Sequence, residues 1–290
     1  MKPLVIYHDH CTDGFGAAYA AWTKFGDHAD YLPKQYGPAH PADIIELVQD
    51  RDVYVLDFSF PEPIMQLIVT HAAHLTWLDH HKTAFENWSA CGDERNLFVD
   101  EDDDITIRLD NNASGALLAW QYFQPTRPAP MVIQHIDDRD RWQWQLPHSK
   151  EVHAAIQSMQ PWSFELWEDD VMSASAYGYL VRNGKALVHM QDQQVAASAS
   201  KACTCNVLGV PGLAVNCPVN ISEVGHQLTK KSGTYGLVWY FDSATKRANC
   251  SLRSEGDFDV SAMARQFGGG GHKNAAGFNV SMAELLEMVS

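Results

Sequence analysis

The chain has no CxxC pair, and its six cysteines (Cys11, Cys91, Cys203, Cys205, Cys217 and Cys250) are scattered through 290 residues. A zinc ribbon and a disulfide framework are thereby disfavoured, and reduced thiols are expected. No apolar run approaches the roughly 20 residues that span a bilayer. The first seven residues run straight into His8-Asp9-His10, too short and too soon polar for a secretory signal, so a cytoplasmic protein with no membrane partner is expected. Positive charge is also scarce: 21 Lys and Arg stand against 36 Asp and Glu, a net charge of −15 with histidine neutral. Long duplex nucleic acid is disfavoured as a partner, because such binding needs a basic face to displace counterions. A small phosphorylated substrate stays open if bound metal supplies positive charge, and 14 histidines make that exception worth following. Repeats of 20 to 50 residues and coiled-coil heptads are absent as well.

What is present is globular: 46% hydrophobic and 20% charged residues exclude wholesale disorder. The N-terminal portion alternates apolar strands with helical stretches, the mark of an α/β domain with a mainly parallel sheet. Residues 3–7, 53–56 and 75–78 read as strands, and 14–25 and 61–73 as the helices after the first two. Residues 114–123 and 129–138 read as further helices, and the acidic run Asp100 to Asp104 as a solvated loop. A polar, Ala- and Gln-rich stretch at 174–202 reads as a helix carrying the chain between domains. After it come strands at 213–215, 234–241 and 248–252 and a helix at 260–267, which runs into Gly268-Gly269-Gly270-Gly271-His272. The expected division is an α/β domain at 1–180, a helical linker at 181–204 and a smaller α/β domain at 205–290.

Each of the three strands ends in Asp or His, and ligand sites in open α/β sheets lie beyond the carboxyl ends of the strands, so the three clusters should converge. The first, His8-Asp9-His10-Cys11-Thr12-Asp13-Gly14, presents imidazole and carboxylate where a helix N-terminus also favours anions. A helix capped by Thr12 or Asp13 with incidental histidines is the plainer alternative. Asp57 follows the second strand directly, a position more often filled by a cap or turn residue. In the third cluster, Asp79-His80-His81-Lys82, neighbouring side chains point in different directions. One histidine can then bind metal while the other faces substrate, with Asp79 orienting a ring.

Asp79-His80-His81 resembles the signature of the DHH phosphoesterases, and Gly269-Gly270-Gly271-His272-Lys273-Asn274-Ala275-Ala276-Gly277 resembles the glycine-rich motif of the DHH-associated C-terminal domain. The resemblance covers essentially the whole chain and implies a two-domain enzyme with a pair of divalent metals, usually manganese, in the cleft. The family includes single-strand exonucleases, nano-RNases, phosphatases of adenosine bisphosphate and cyclic-dinucleotide phosphodiesterases. Carried over, it assigns His8, Asp13, Asp57 and His80 as metal ligands, Asp57 bridging, and His81 as the group that meets the phosphate. The fourth motif needs an Asp followed four residues later by an aromatic. Asp138 with Trp142 fits and is taken as the ligand, although Asp137, Asp138 and Asp140 leave the choice open. Arg253, Gly270, Gly271 and His272 are implied as substrate-binding residues.

One position departs from the family pattern: Cys11 stands where a further Asp is usual, and the span from His8 to Asp13 is one residue shorter than the common form. Soft sulfur suits manganese poorly, so the first metal site is expected to be weaker, rearranged toward Asp9 or His10, or filled by a different ion. Trp142, Trp144, Trp162 and Trp167 read mainly as packing residues, with stacking on a base as the alternative. The expectation is a metal-dependent phosphodiesterase acting on linear dinucleotides or similarly short nucleotides, with a homodimer compatible. The alternatives are a nucleoside bisphosphate phosphatase and a nucleotide-binding regulator without turnover.

Overall fold

Three short apolar stretches become neighbouring parallel strands. In the computed structural model, which describes residues 1–290 apart from 38, 88–96, 102–103, 174 and 290, the chain begins with β1 (Leu4–His8), α1 (Thr12–Phe25), β2 (Asp30–Lys34), α2 (Pro41–Val48) and β3 (Asp52–Leu56). It continues through α3 (Glu62–His71), β4 (His74–Asp79), α4 (Lys82–Asn87), β5 (Leu97–Glu101) and β6 (Ile105–Leu109). The sheet order is β2-β1-β3-β4-β6-β5, parallel throughout except for the antiparallel β5–β6 pair. Four helices follow, α5 (Gly115–Phe123), α6 (Met131–Asp140), α7 (Ser149–Ser158) and the short α8 (Phe164–Leu166), and then the long α9 (Ala176–Ala199).

The continuous apolar runs are explained by burial on both faces of this sheet. Leu4 and Ile6 join Val53, Val55, Leu75 and Trp77 in one cluster, covered by Ile44 and Val48 of α2 and Ile64, Met65 and Ile68 of α3. Val5, Tyr7, Leu56 and Leu78 face the opposite side, where Ala17 and Ala18 of α1 meet Ala116 of α5 and Ile133 and Ile136 of α6. Each such aliphatic side chain contributes roughly 1.5–3 kcal/mol when fully buried. Trp162 and Trp167 pack around Phe15, with ring centroids 5.5 and 4.8 Å from it, as packing residues should.

Two expectations change here. β2, β5 and β6 have no counterpart among the three expected strands, because the Pro in β2 and the charges in β5 mask their pattern. Asp100 and Glu101 belong to β5, paired with Thr106 and Ile105, rather than to a solvated loop. Asp102, Asp103 and Cys91 lie outside the described residues.

The described residues divide into two units, Met1–Val188 and His189–Ser290, and the division falls inside α9. The second unit contains β7 (Cys203–Val207), β8 (Val210–Asn216), α10 (Ile221–Ser232), β9 (Tyr235–Asp242), β10 (Arg247–Ser254), α11 (Val260–Arg265), β11 (Gly270–His272), β12 (Ala275–Val280) and α12 (Met282–Met288). Its sheet runs β11-β12-β10-β9-β8-β7, with a parallel β8–β9 pair among antiparallel neighbours. One face packs on α11 and α12 through Met263, Ala264 and Leu285. The other packs on α10 through Val224 and Leu228 and on the end of α9 through Val195 and Ala199. Cys11, Cys203, Cys205, Cys217 and Cys250 are all free thiols. Among the described residues no helix is long and apolar enough to cross a membrane.

Candidate active site

β1 is flanked by β2 on one side and β3 on the other, so the chain winds outward from this point in both directions and the carboxyl ends of the central strands open onto one crevice. His8 ends β1, Asp57 follows β3, and His80 and His81 follow β4. Asp13 joins them from the first turn of α1, and Asp140 from the last residue of α6.

Asp57 lies at the centre and is 1% exposed. Its Oδ1 is 3.1 Å from His80 Nε2, and its Oδ2 is 3.6 Å from His8 Nδ1. Both carboxylate oxygens and His8 Nδ1 are buried without a hydrogen-bond partner. Its backbone is held at φ 52°, in the left-handed region that a non-glycine residue enters at a cost, while its N–H donates to Leu78 O at 2.9 Å. Burial would raise the carboxyl pKa, but the His8 and His80 imidazoles outweigh it and hold Asp57 below the ordinary range.

Around His80 Nε2 three carboxylates converge: Asp57 Oδ1, Asp13 Oδ2 at 3.3 Å and Asp140 Oδ2 at 3.5 Å. Asp13 also accepts from the N–H groups of Gly115 at 2.7 Å and Ala116 at 2.8 Å, so the N-terminus of α5 fixes its orientation. Burial acts to lower the His80 pKa, but the nearby Asp13, Asp57 and Asp140 carboxylates carry it well above its ordinary value. Burial pushes Asp13 and Asp140 up, the Asp57 charge adding to it at Asp13 and the Asp13 charge at Asp140. On the other side of Asp57, ligand atoms of His8, Cys11 and Asp57 all lie within 4.8 Å of one another. Burial, with Asp57, Asp140 and Asp13 nearby, pushes the Cys11 thiol up.

Asp79 is fully buried and acts on its neighbours rather than toward the crevice. It accepts from His81 Nδ1 at 2.7 Å, from the His80 N–H at 2.7 Å and from the Ser59 hydroxyl. The His81 ring is thereby fixed with Nδ1 donating. Burial would lower the His81 pKa, and the Asp79 charge raises it instead.

Asp138, the expected fourth ligand, belongs to a different task. Its carboxylate accepts from the N–H groups of Gln145 at 2.7 Å and Leu146 at 3.2 Å and from the Ser149 hydroxyl, tying the turn after α6 to α7. Asp137 is likewise engaged, by Ser114 N at 2.7 Å and Arg141 at 3.3 Å. Asp140 is therefore the member of the trio that faces the site. The spacing could not choose, since Asp140 stands four residues before Trp144 as Asp138 does before Trp142. Tyr36 was missed by sequence reasoning. It lies just beyond β2, stacks on Phe58 at 4.9 Å, meets the His8 ring edge at 5.2 Å, and keeps 51% of its surface exposed. The one available signal was its position after a strand whose own pattern was unreadable.

The remaining expected residues are in the second unit. Arg253 on β10 is half-buried, with its guanidinium donating to Ser222 Oγ at 3.0 Å and Leu252 O at 2.8 Å. Gly270, Gly271 and His272 form β11, paired with Gly277, Ala276 and Ala275. Gly271 has φ 137°, and a Cβ there would lie 2.5 Å from Ala275 O, so only glycine fits. The preceding Gly268 and Gly269 line a pocket of about 420 Å³ with Tyr240, Arg247, Asn249 and Phe267.

The residues of the first unit fit a pair of divalent cations. A buried carboxylate with two unpartnered oxygens turned toward separate imidazoles is costly unless positive charge lies on both sides. Asp13, Asp57, His80 and Asp140 would hold one ion through nitrogen and oxygen, and His8, Cys11 and Asp57 the other.

Comparison with known proteins places a family domain in the second unit: residues 218–290 match the DHHA1 domain model. A curated relative, an uncharacterized protein of Acanthamoeba polyphaga mimivirus, is 28% identical over 297 aligned positions, covering 96% of this chain and 67% of the relative. Among solved structures, the pGpG-specific phosphodiesterase PggH from Vibrio cholerae is similar at TM-score 0.48 and 11% identity, over 99% of this chain and 96% of that one. RecJ from Thermus thermophilus in complex with Mn2+ is similar at TM-score 0.47 and 11% identity, over 97% of this chain and 50% of that one. The chain thus carries a DHHA1 domain at residues 218–290, and Asp79-His80-His81, the residues that resemble the DHH signature, close β4 of the parallel sheet in the first unit.

Proposed function

We propose that the protein is a metal-dependent phosphodiesterase that hydrolyses very short nucleotides, linear dinucleotides foremost, to mononucleotides. The observation that carries the reading is Asp57, a buried carboxylate whose two oxygens face two separate sets of metal-ligating atoms. Two divalent cations held there, Mn2+ in the common case, would neutralise phosphate oxygens and make water a stronger nucleophile.

The chain's own residues do the rest. Asp57, His8 and His80 fix the geometry in which a phosphodiester and a water meet, and no side-chain nucleophile is needed. His81 is placed beside Asp57, its Nδ1 3.8 Å from Asp57 Oδ1 and its ring held by Asp79. With Nδ1 engaged, Nε2 is the ring atom that donates a proton to a phosphoryl or leaving-group oxygen. Arg253, Gly270, Gly271 and His272 of the second unit are proposed as substrate-binding residues. A net charge of −15 disfavours long polyanions, whereas a dinucleotide needs compensation only at one site.

Incubation of the Mn2+-loaded protein with oligoribonucleotides of graded length tests the reading. Rates falling steeply beyond the dinucleotide support it, and equal rates at all lengths overturn the short-substrate claim. Release of inorganic phosphate in place of mononucleotides would favour a phosphatase instead.

A further inference from the structure

Cys11 occupies the N-cap position of α1, where Ser, Thr, Asp and Asn are preferred because their side chains accept a backbone N–H. It makes no cap hydrogen bond of ordinary geometry, and the Gly14 N–H beside the sulfur is the smallest influence on the thiol, outweighed by burial. A thiol is a weak acceptor, so capping alone is a poor reason for one at this position. What the thiol does have is company: ligand atoms of His8 and Asp57 lie within 4.8 Å of it and of one another. Asp57 is 1% exposed with both oxygens unpartnered, and His8 Nδ1 is a further buried atom with no hydrogen-bond partner. A sulfur, an imidazole nitrogen and a carboxylate oxygen thus face one small volume, and two of the three are unsatisfied without a cation.

The neighbouring donor set differs in kind. Asp13, His80 and Asp140, with Asp57 shared, offer one nitrogen and otherwise oxygen. All-oxygen and mixed oxygen–nitrogen sets suit harder ions such as Mn2+ and Mg2+, whereas thiolate favours Zn2+, Co2+ and Fe2+. Building on the two-metal reading above, we propose that the pair is not equivalent: His8, Cys11 and Asp57 form a sulfur-containing site for a thiophilic divalent transition ion, beside a Mn2+-type site formed by Asp13, Asp57, His80 and Asp140. The Cys11 thiol gives up its proton to solvent when the ion binds, and the sulfur–metal bond forms with no change of oxidation state. The substitution of Cys for a carboxylate is then a change of metal rather than a lesion in the site.

The test is optical titration of metal-free protein with Co2+, whose bond to a thiolate gives a near-ultraviolet charge-transfer band absent from oxygen and nitrogen ligation. The expected result is one equivalent of Co2+ bound with that band and a second without further increase. Zn2+ should abolish the band by displacement, and equimolar Mn2+ should not. Cys11→Ser should lose the band although the other five cysteines remain, and Cys11→Asp should lose it and bind Mn2+ at both positions. If Cys11→Ser fails to fold by circular dichroism, the wild-type Zn2+ and Mn2+ competition still decides. Two Co2+ bound without the band, or a band that survives in folded Cys11→Ser, overturns the proposal and leaves the two-metal reading standing. No Co2+ bound at all overturns that reading, and the proposal with it.

Discussion

Gly115, the first residue of α5, is in such close contact with Asp57 that a Cβ added to it would lie 2.4 Å from Asp57 Cβ and 2.6 Å from Oδ1. Its N–H also donates to Asp13, so one backbone position holds two of the site's carboxylates. Gly115→Ala should therefore act on chemistry as well as stability. Overpacking a buried contact costs about 1–3 kcal/mol, and displacement of Asp57 by an ångström should lower kcat about 100-fold. Activity with the Mn2+-loaded variant, set beside its thermal midpoint, checks this. Wild-type kcat would show that Asp57 need not sit where it does.

The assignments of Asp138 and Asp140 lead to opposite expectations for two isosteric changes. Asp138→Asn leaves buried donors from Gln145, Leu146 and Ser149 poorly matched, and about 1–3 kcal/mol of stability should be lost. Metal stoichiometry should stay at the wild-type value. Asp140→Asn should barely move the thermal midpoint of the metal-free protein, yet weaken the ion held at His80 and cut turnover. Metal analysis after dialysis, read against calorimetric melting, separates the two. The reverse pattern would return the ligand role to Asp138.

At His80 a proton and a bound divalent cation would compete. The folded metal-free protein holds the His80 proton more tightly than the unfolded chain, because burial is outweighed by Asp13, Asp57 and Asp140. That contribution to stability is fully present below the unfolded imidazole pKa of about 6.5. It is lost as pH rises through the raised folded value. A divalent ion needs neutral imidazole, so binding must release this proton and tighten as pH rises. Titration calorimetry in buffers of different ionisation enthalpy should report proton release in the wild type and less in His80→Ala. Affinity independent of pH would contradict the assignment.

The sequence was legible where burial and chemistry agree. The runs that became β1, β3 and β4 are apolar on both faces, and each leads directly into residues of the candidate site, so the convergence of His8, Asp57 and His80 followed from position alone. β2 and β5 were hidden by a proline and by charges at the sheet edges, where packing demands less. The choice within Asp137-Asp138-Arg139-Asp140 was illegible for a different reason. It depends on which carboxylate meets the turn before α7, a relationship between segments with no local signature. The glycine run showed its composition but not that part of it pairs as β11.

Tyr36 supplies the last prediction because its environment divides between support and exposure. Phe58 stacks beneath it at 4.9 Å, the His8 ring edge lies at 5.2 Å, and half its surface faces solvent beside the proposed metal ligands. A rigid aromatic face in that position suits a nucleobase attached to the scissile phosphate, and stacking is worth about 1–3 kcal/mol per base. Tyr36→Ala should therefore raise KM for a dinucleotide roughly 5- to 150-fold, with a much smaller change in kcat. Tyr36→Phe keeps the face and should stay near wild type, which separates stacking from any role of the hydroxyl. A phosphodiester carrying no base or other aromatic group gives the deciding comparison. If Tyr36→Ala slows that substrate as much as the dinucleotide, the side chain supports His8 and Phe58 rather than the base.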